Sequence, residues 1–583
     1  MALNIPSSTD PLTQAIQLFE RGERSAAEKS FRQIIKKQPQ NATALAYIGE
    51  ILLQAKRADG AFQHFSRAVK ADGNNALAWR GIGAVQLYAK GDYNKAIEAL
   101  SRSVALNPLD AQTYFLMGQA AQKLKLYDDS VSLFETGLQM KPEHAEMRSY
   151  LALSYLYQRR FDDALTMLFE ALGQDPHNAN ILMNGLKIEQ YGVFKDEHVK
   201  QFDQFIEAEK QSARIRDYYY LRQYEHALRI NDRASAYAAL QKVDDNAERQ
   251  GSVKNYRLSN LYMADGACDK AMQHLHKANR MWSKQRALQH YKKSAFPLAI
   301  KHSVASSDAQ SIEKITELRE RYAIERPVQD PVFIVGFPRS GTTLSGQILN
   351  AHPQFYTADE YGALDQMHVH FNAKYNSTLP DGLMSASKEQ WEELIQLYYE
   401  KQSNLPLIHK EQRFADKMPF NMIQLPLIYA LFPKAKILYI RRHPLDCVLS
   451  GYMQSFDANA AMMHFANLDD IARLYLQIEE SWAQLKTNIP MDIYEYRYED
   501  LIDDFDGKMS EILAFLGTEW HDDIRNFHQA QNQDTPQSLT PSRTQIERTL
   551  NKDSKDRWRA YEQALQSPKT LLADIIKAQG YEL

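Results

Sequence analysis

Residues 331–349 read PVFIVGFPRSGTTLSGQIL, and this stretch decides the fold of the second half of the chain. The apolar run at 332–335 follows a proline and predicts a short buried strand. A turn of Gly, Pro, Ser and Thr residues comes next, and an apolar periodic helix is predicted from about Thr342. A strand, a turn and a helix in this order are typical of an α/β domain.

The same arrangement recurs further along the chain. Residues 435–456, AKILYIRRHPLDCVLSGYMQSF, predict a second strand, turn and helix, and residues 491–501, MDIYEYRYEDL, predict a third strand. Strands that alternate with helices favour a parallel sheet. Ligands of such sheets bind at the carboxyl ends of the strands, so both turns are expected at the binding edge.

The first half of the chain repeats with a period of 34 or 35 residues. Three prolines, at 108, 142 and 176, are 34 residues apart. Small and large positions recur in step, in the series Gly49, Gly83, Gly118, Ala152; Ala61, Ala96, Ser130, Ala164; Ala68, Ser103, Gly137, Ala171; and Phe65, Leu100, Phe134, Leu168. This pattern predicts a repeated helix–turn–helix unit, with small residues where paired helices approach closely.

These repeats resemble the tetratricopeptide repeat family, for example in ALAWRGIGAVQLYAKGDYNKAIEALSRSVALNP (76–108). We expect a tail at 1–10 and an all-α solenoid at 11–285, with clear repeats at 11–178 and degenerate helical pairs beyond. Linking helices are expected at 286–325 and a second domain at 326–583. The concave groove of such a solenoid usually binds a peptide or another protein. Docking on the chain's own second domain and homodimer formation are the other uses the repeats allow.

The composition excludes several classes of protein. Of 583 residues, 44% are apolar and 24% are charged, which is ordinary for globular domains and unlike a disordered chain. The net charge of −4 gives no reason to expect nucleic acid as a partner. Two cysteines, Cys268 and Cys447, make neither a disulfide framework nor a thiolate zinc site. The first residues predict no signal peptide and no apolar run predicts a membrane span, so the expected location is cytoplasmic.

The turn after the first strand has the pattern of a phosphate-binding loop. Gly336 to Thr343 fits G-x-x-x-x-G-T-T, in which backbone N–H groups and a helix start face an anion. The ATPase motif requires lysine where this chain has Thr342, and the cation is Arg339 within the loop. This departure argues against an ATP- and magnesium-dependent kinase, which is kept as an alternative class.

The turn after the second strand predicts another anion site. Arg442 ends the strand, and Ser450 follows eight residues later on the next helix. An arginine and a hydroxyl in this arrangement can hold a phosphate. The neighbouring Arg441 is either the anion ligand or a surface residue, and we favour the surface position.

Two anion loops over one sheet resemble the sulfotransferases that use 3′-phosphoadenosine 5′-phosphosulfate (PAPS). The resemblance covers about residues 330–570. Arg339 in the loop resembles the tyrosylprotein and carbohydrate branches, and Arg339, Glu360 and Lys417 together are closest to the tyrosylprotein sulfotransferase-like branch. It implies an α/β phosphate-loop-like domain of three layers around a parallel sheet, with PAPS as donor and no metal. The residues it implies for PAPS binding are Arg339, Ser340, Gly341, Thr342, Thr343, Arg442, Ser450, Tyr498 and Arg557. Tyr498 is equally compatible with a place in the core.

The same resemblance implies the residues of catalysis, in which Arg339 takes part. Glu360 is the candidate base that takes the acceptor's proton, with Asp359, His352 and His443 as competitors. Lys417 is the candidate that stabilises the leaving group, and Ser542 the candidate that touches the transferring group.

The sequence thus predicts a PAPS-dependent sulfotransferase that carries an appended repeat domain. The acceptor hydroxyl would belong to tyrosine of a protein or peptide recruited by the repeats, to a carbohydrate or to a small molecule. An inactive nucleotide-binding scaffold that uses the repeats for protein interaction is the alternative of another class.

Overall fold

The computed structural model describes residues 10–210, 212, 215–247, 250–285, 288, 291–326, 329–360, 362–403, 412–528 and 555–583. The chain divides into two compact units, Met1–Ile215 and Arg216–Leu583. The predicted fold class, an all-helical solenoid followed by an α/β domain with a parallel sheet, is confirmed. The finer domain bounds given above remain predictions. None of the described helices combines the length and apolar character needed to cross a bilayer.

The first unit is a stack of antiparallel helical pairs. Its helices are α1 Pro11–Glu20, α2 Arg24–Lys37, α3 Ala42–Gln54, α4 Ala58–Ala71, α5 Ala76–Val85 with a π-helical turn at Gln86–Lys90, α6 Tyr93–Leu106, α7 Ala111–Lys123, α8 Tyr127–Met140, α9 Ala145–Tyr157, α10 Phe161–Gln174, α11 Ala179–Gln190 and α12 Asp196–Glu209.

The repeated small and large residues meet as the sequence predicts. A Cβ added at Gly49 would lie 2.6 Å from the ring of Phe65, and one at Gly81 would lie 2.2 Å from it. Gly118 has the same relation to Phe134, at 2.4 Å. These close approaches explain why the period carries glycine or alanine opposite a large buried side chain.

The second unit contains the sheet and its covering helices. Its strands are β1 Val332–Gly336, β2 Phe355–Asp359, β3 Arg413–Lys417, β4 Lys436–Arg441 and β5 Asp492–Arg497. Its helices are α13 Arg216–Arg229, α14 Arg233–Gln241, α15 Gln250–Ala264, α16 Cys268–Trp282, α17 Ala295–Ala305, α18 Ala309–Tyr322, α19 Thr342–Asn350, α20 Ala363–Tyr375, α21 Lys388–Ser403, α22 Leu425–Leu431, α23 Pro444–Tyr452, α24 Leu468–Asn488, α25 Tyr498–Asp503, α26 Phe505–Leu516 and α27 Gln566–Ala578. Short 3₁₀ turns occur at Asp381–Ser385, Pro419–Gln424, Met462–Ala466, Asp522–Asn526 and Arg557–Leu565.

The sheet is parallel and buried on both faces. The strand order is β2-β3-β1-β4-β5, and all four strand pairs are parallel. Along β1, Phe333 and Val335 join one apolar core, whereas Val332 and Ile334 join the other. Alternate side chains of a strand point to opposite faces, so a fully apolar strand requires a layer of helices on each side.

The strand order places the binding crevice beside β1. The chain runs from β1 to β2 on one side of the sheet and later reaches β4 on the other side of β1. At such a reversal the carboxyl ends of two adjacent strands open outward and leave room for a ligand. The turns after β1 and β4 therefore adjoin the crevice.

Helices α16 and α18 of the second unit precede the sheet in sequence and share its core. Leu275 of α16 and Ile315 of α18 belong to the same apolar cluster as Phe333 of β1. The side chain of Asn279 donates to the carbonyl oxygen of Tyr452 at 2.9 Å, and the Trp282 indole N–H donates to the carbonyl oxygen of Phe456 at 3.0 Å. The helical pair α15–α16 is therefore packed on the helix that follows β4.

Candidate functional site

The loop after β1 is shaped by two glycines. A Cβ at Gly336 would lie 2.5 Å from the carbonyl oxygen of Ile440, so the loop can start this close to β4 only with glycine. Gly341 has a φ of 110°, and a Cβ there would lie 2.6 Å from the ring of Tyr498. Helix α19 begins directly after Gly341, so its first backbone N–H groups face the loop.

Hydroxyl groups of this loop are turned inward. Ser340, Thr342 and Thr343 are all buried. The Ser340 hydroxyl has no hydrogen-bond partner among the described residues. A buried hydroxyl without a partner is costly, and a bound oxyanion would supply the missing acceptor.

The turn after β4 reaches the same loop. Arg442 donates from Nη1 to the carbonyl oxygen of Arg339 at 3.1 Å, and its guanidinium lies 4.9 Å from the ring centre of Tyr498. Arg339 donates from Nε to the hydroxyl of Ser450 at 3.0 Å. The two sequence-predicted anion loops thus form one site, with Tyr498 as part of its wall.

The site concentrates positive charge. Burial, followed by the nearby charge of Arg442, lowers the pKa of Arg339 from 12.5 to about 10, and Arg557 acts in the same direction. Glu360 acts in the opposite direction. The positive charges of Arg339, Arg442 and Arg557 favour the binding of an anion with more than one phosphate or sulfate group.

Glu360 and Lys417 meet at the ends of β2 and β3. The Lys417 Nζ lies 3.6 Å from Glu360 Oε1, and the Glu360 N–H donates to the Lys417 carbonyl oxygen at 3.0 Å. The Lys417 side chain is fully buried, whereas 47% of the Glu360 side chain is exposed. An accessible carboxylate next to a buried ammonium suits a base that must meet an incoming acceptor.

Both Glu360 and Arg339 have strained backbones. Their φ angles are 45° and 73°, in the left-handed region that non-glycine residues seldom adopt. Such conformations cost of order 1–3 kcal/mol and concentrate at functional sites, where the surrounding structure holds them in place.

The remaining predicted residues have separate outcomes. The positive charge of Arg557 contributes to lowering the pKa of Arg339, and the Arg557 Nη2 is 2.9 Å from the sulfur of Met263. Ser542 lies outside the described residues. Arg441 is partly buried, and its guanidinium forms ion pairs with Glu495 at 2.9 Å and with the buried Glu479 at 3.4 Å. The carboxylates of two neighbouring elements draw it inward.

Two competing bases are occupied by structural contacts. The His443 Nδ1 caps α23 by accepting from the N–H of Leu445, and its Nε2 lies 3.0 Å from the carbonyl oxygen of Glu582. The His352 Nε2 lies 3.0 Å from the carbonyl oxygen of Glu519. These contacts leave Glu360 as the better placed acceptor of a proton.

Sequence reasoning missed Asp416, the residue before Lys417. It is fully buried and accepts hydrogen bonds from the hydroxyl of Tyr398 at 3.0 Å and the amide of Asn421 at 3.2 Å. Burial raises the pKa of its carboxyl from 3.8 to about 7. No signal in the sequence marked it, because three of the five residues of RFADK are charged and this strand was not predicted.

This buried acid predicts a pH-dependent difference in stability. Because its folded-state pKa is above its unfolded value, Asp416 contributes stability below about pH 4 that is lost as the pH rises to about 7. The free energy of unfolding of Asp416→Asn, minus that of wild type, should therefore increase by a few kcal/mol from pH 5 to pH 8. Each pKa unit is worth about 1.4 kcal/mol. Urea unfolding of both proteins at the two pH values measures this. The exposed Asp522→Asn is the control, and an equal difference at both pH values would contradict the prediction.

Comparisons with known proteins find relatives of both parts of the chain. The model of the sulfotransferase family matches residues 331–522, and models of tetratricopeptide repeats match residues 12–76, 86–125 and 115–179. The chain therefore combines tetratricopeptide repeats with a sulfotransferase-family domain. Within the described ranges, no group of three or more His, Cys, Asp and Glu side chains is arranged to hold a metal ion.

Several relatives each match a part of the chain. An uncharacterized protein of Aquifex aeolicus is 31% identical over 41% of the chain and 32% of its own length. The tetratricopeptide repeat-containing protein trd-1 of Caenorhabditis elegans is 27% identical over 28% of the chain and 20% of its own length. Protein-tyrosine sulfotransferase A of the same species is 24% identical over 39% of the chain and 60% of its own length. The chain thus spans a third or less of the first two of these relatives.

A crystal structure of a thermophilic tetratricopeptide-repeat protein of Thermus thermophilus also matches. The match covers 31% of this chain and 97% of the chain of that protein, with 22% sequence identity and a TM-score of 0.26.

Proposed function

We propose that the chain is a PAPS-dependent sulfotransferase that moves a sulfuryl group to the hydroxyl of tyrosine in a protein or peptide recruited by the repeats. The observation that carries the proposal is the convergence of two anion loops and the Glu360–Lys417 pair at one edge of the sheet. A nucleotide with phosphate groups at two positions matches two anion loops better than a single phosphate chain does.

The loop after β1 would hold the sulfated end of the donor. Its backbone N–H groups, the Ser340 hydroxyl and Arg339 lie where they can surround the 5′-phosphosulfate. Arg442 and Ser450 would hold the 3′-phosphate, and the Tyr498 ring would border the nucleotide. The donor supplies the sulfuryl group.

Glu360 and Lys417 would divide the chemistry between them. Glu360 takes the proton from the acceptor hydroxyl while that oxygen forms its bond to sulfur. Lys417 faces the oxygen whose bond to sulfur breaks, and its ammonium stabilises the negative charge that develops there. The proton then resides on Glu360, and adenosine 3′,5′-bisphosphate leaves with the bridging oxygen.

Two observations support a protein acceptor. The curated relative with protein-tyrosine sulfotransferase in its name matches 39% of the chain. The solenoid offers a surface of the kind that binds peptides. Carbohydrate and small-molecule hydroxyls are the other acceptor classes.

The test is transfer of radiolabelled sulfate from PAPS by the purified full-length chain. Acceptors would be a tyrosine peptide, the same peptide with phenylalanine, and a panel of carbohydrates and phenols. Label in the tyrosine peptide alone is the expected result. Label only in a carbohydrate or phenol would reject the protein acceptor, and no transfer to any acceptor would reject the enzyme assignment.

A further inference from the structure

Arg557 is the most remote in sequence of the three site arginines. It begins the 3₁₀ turn Arg557–Leu565, and the residue before it, Asp556, has a φ of 56°. Aspartate is one of the non-glycine residues that adopt this left-handed conformation most readily. The contacts on both sides of Arg557 show how the chain is held there.

Asp446 provides that restraint. This buried carboxylate lies in the first turn of α23, the helix that carries Ser450. Its Oδ2 accepts the backbone N–H of Asp556 at 3.0 Å, and its Oδ1 accepts the backbone N–H of Trp558 at 2.9 Å. The two hydrogen bonds bracket Arg557, and each uses a different oxygen of the carboxylate.

A ring contact adds to this clamp. The Trp558 ring stacks on His443, with centres 5.0 Å apart and planes inclined by 19°. His443 belongs to the same turn after β4 and caps α23. The turn that supplies Arg442 and Ser450 is therefore also the support on which the Arg557 segment rests.

We propose that Asp446 is a positioning residue of the nucleotide site: by fixing the peptide groups on both sides of Arg557, it holds that segment against the helix that carries Ser450. Asp446 acts through Arg557, and the inference rests on the proposed PAPS site. A carboxylate is required because both acceptors are used, whereas asparagine offers one acceptor oxygen and an amino group that repels an N–H donor.

A double-mutant cycle on the full-length chain tests the inference. Calorimetry would give the Kd of adenosine 3′,5′-bisphosphate for wild type, Asp446→Asn, Arg557→Ala and the double variant. Arg557→Ala should raise the Kd by about 10- to 100-fold, the range expected for a hydrogen bond between charged groups. Asp446→Asn should raise it by about tenfold in the wild-type background and by less than about twofold in the Arg557→Ala background, because coupled residues are not additive.

The matched control is Asp504→Asn, since Asp504 also accepts a backbone N–H, from Gly507 at 3.0 Å, but at the start of α26. It should leave the Kd unchanged. If Asp446→Asn does not fold, Asp446→Ser, which offers a single acceptor, replaces it. An equal factor in both backgrounds, or wild-type affinity in the Asp446 variant, would overturn the positioning role while leaving the nucleotide site intact. Absence of binding by wild type would instead refute the proposed function, and the inference with it.

Discussion

Replacing Glu360 by glutamine should lower kcat by about 10²–10⁴-fold, the range that a positioned general base contributes. Glutamine keeps the size of the side chain and its place beside Lys417 but cannot take the acceptor's proton. The Kd of adenosine 3′,5′-bisphosphate should change little, because the arginines that would bind the nucleotide are not altered. Steady-state turnover and calorimetry on the same protein separate the two effects.

Two further variants make this result specific. Glu480→Gln changes an exposed glutamate of α24 and should leave kcat unchanged. Asp359→Asn tests the acid that competes with Glu360 in the sequence. Unchanged turnover in Glu360→Gln, together with a large loss in Asp359→Asn, would transfer the role of base to Asp359.

Replacing Arg442 by alanine should raise the Kd of adenosine 3′,5′-bisphosphate by about 10- to 100-fold, since a hydrogen bond to a charged group is worth about 1.5–3 kcal/mol. The substitution also removes the hydrogen bond from Arg442 to the carbonyl oxygen of Arg339, which helps to hold the loop after β1. Calorimetry at fixed ionic strength measures the change.

The neighbouring arginine supplies the control. Arg441 forms ion pairs with Glu479 and Glu495. Arg441→Lys keeps the charge and should leave the Kd within about twofold of wild type, because the ion pairs of Arg441 are with Glu479 and Glu495 and not with the anion loops. A large loss of affinity in Arg441→Lys, with none in Arg442→Ala, would exchange the roles assigned to the two arginines.

The strands that carry the two anion loops were predictable because their sequences are apolar and end in recognisable turns. The first strand was predicted at 332–335 and the structure adds Gly336; the third was predicted at 491–501 and extends over Asp492–Arg497. Strands β2 and β3 were not predicted. FYTAD ends in an acid, and RFADK has three charged residues among five; both form strands by pairing with neighbours in the sheet.

The site could be predicted where its residues follow a local pattern. Loop residues 339–343 have the spacing of a phosphate loop, and the structure brings Arg339 to Arg442 and Ser450. Contacts between residues far apart in the sequence left no local pattern from which they could be predicted. Asp446 meets Asp556 and Trp558 more than 100 residues later, and Arg441 finds its carboxylates on β5 and α24. These pairings depend on the tertiary fold, which no local pattern encodes.

The most direct test of the central claim is a thermal-shift measurement with adenosine 3′,5′-bisphosphate, compared with ATP and magnesium. A ligand at 100 times its Kd stabilises the folded state by about 2.7 kcal/mol, which should raise the Tm of the second unit by a few degrees. A rise with the bisphosphate alone, abolished in Arg442→Ala, is the predicted result. A rise only with ATP and magnesium would contradict the assignment of the site to PAPS and favour a kinase.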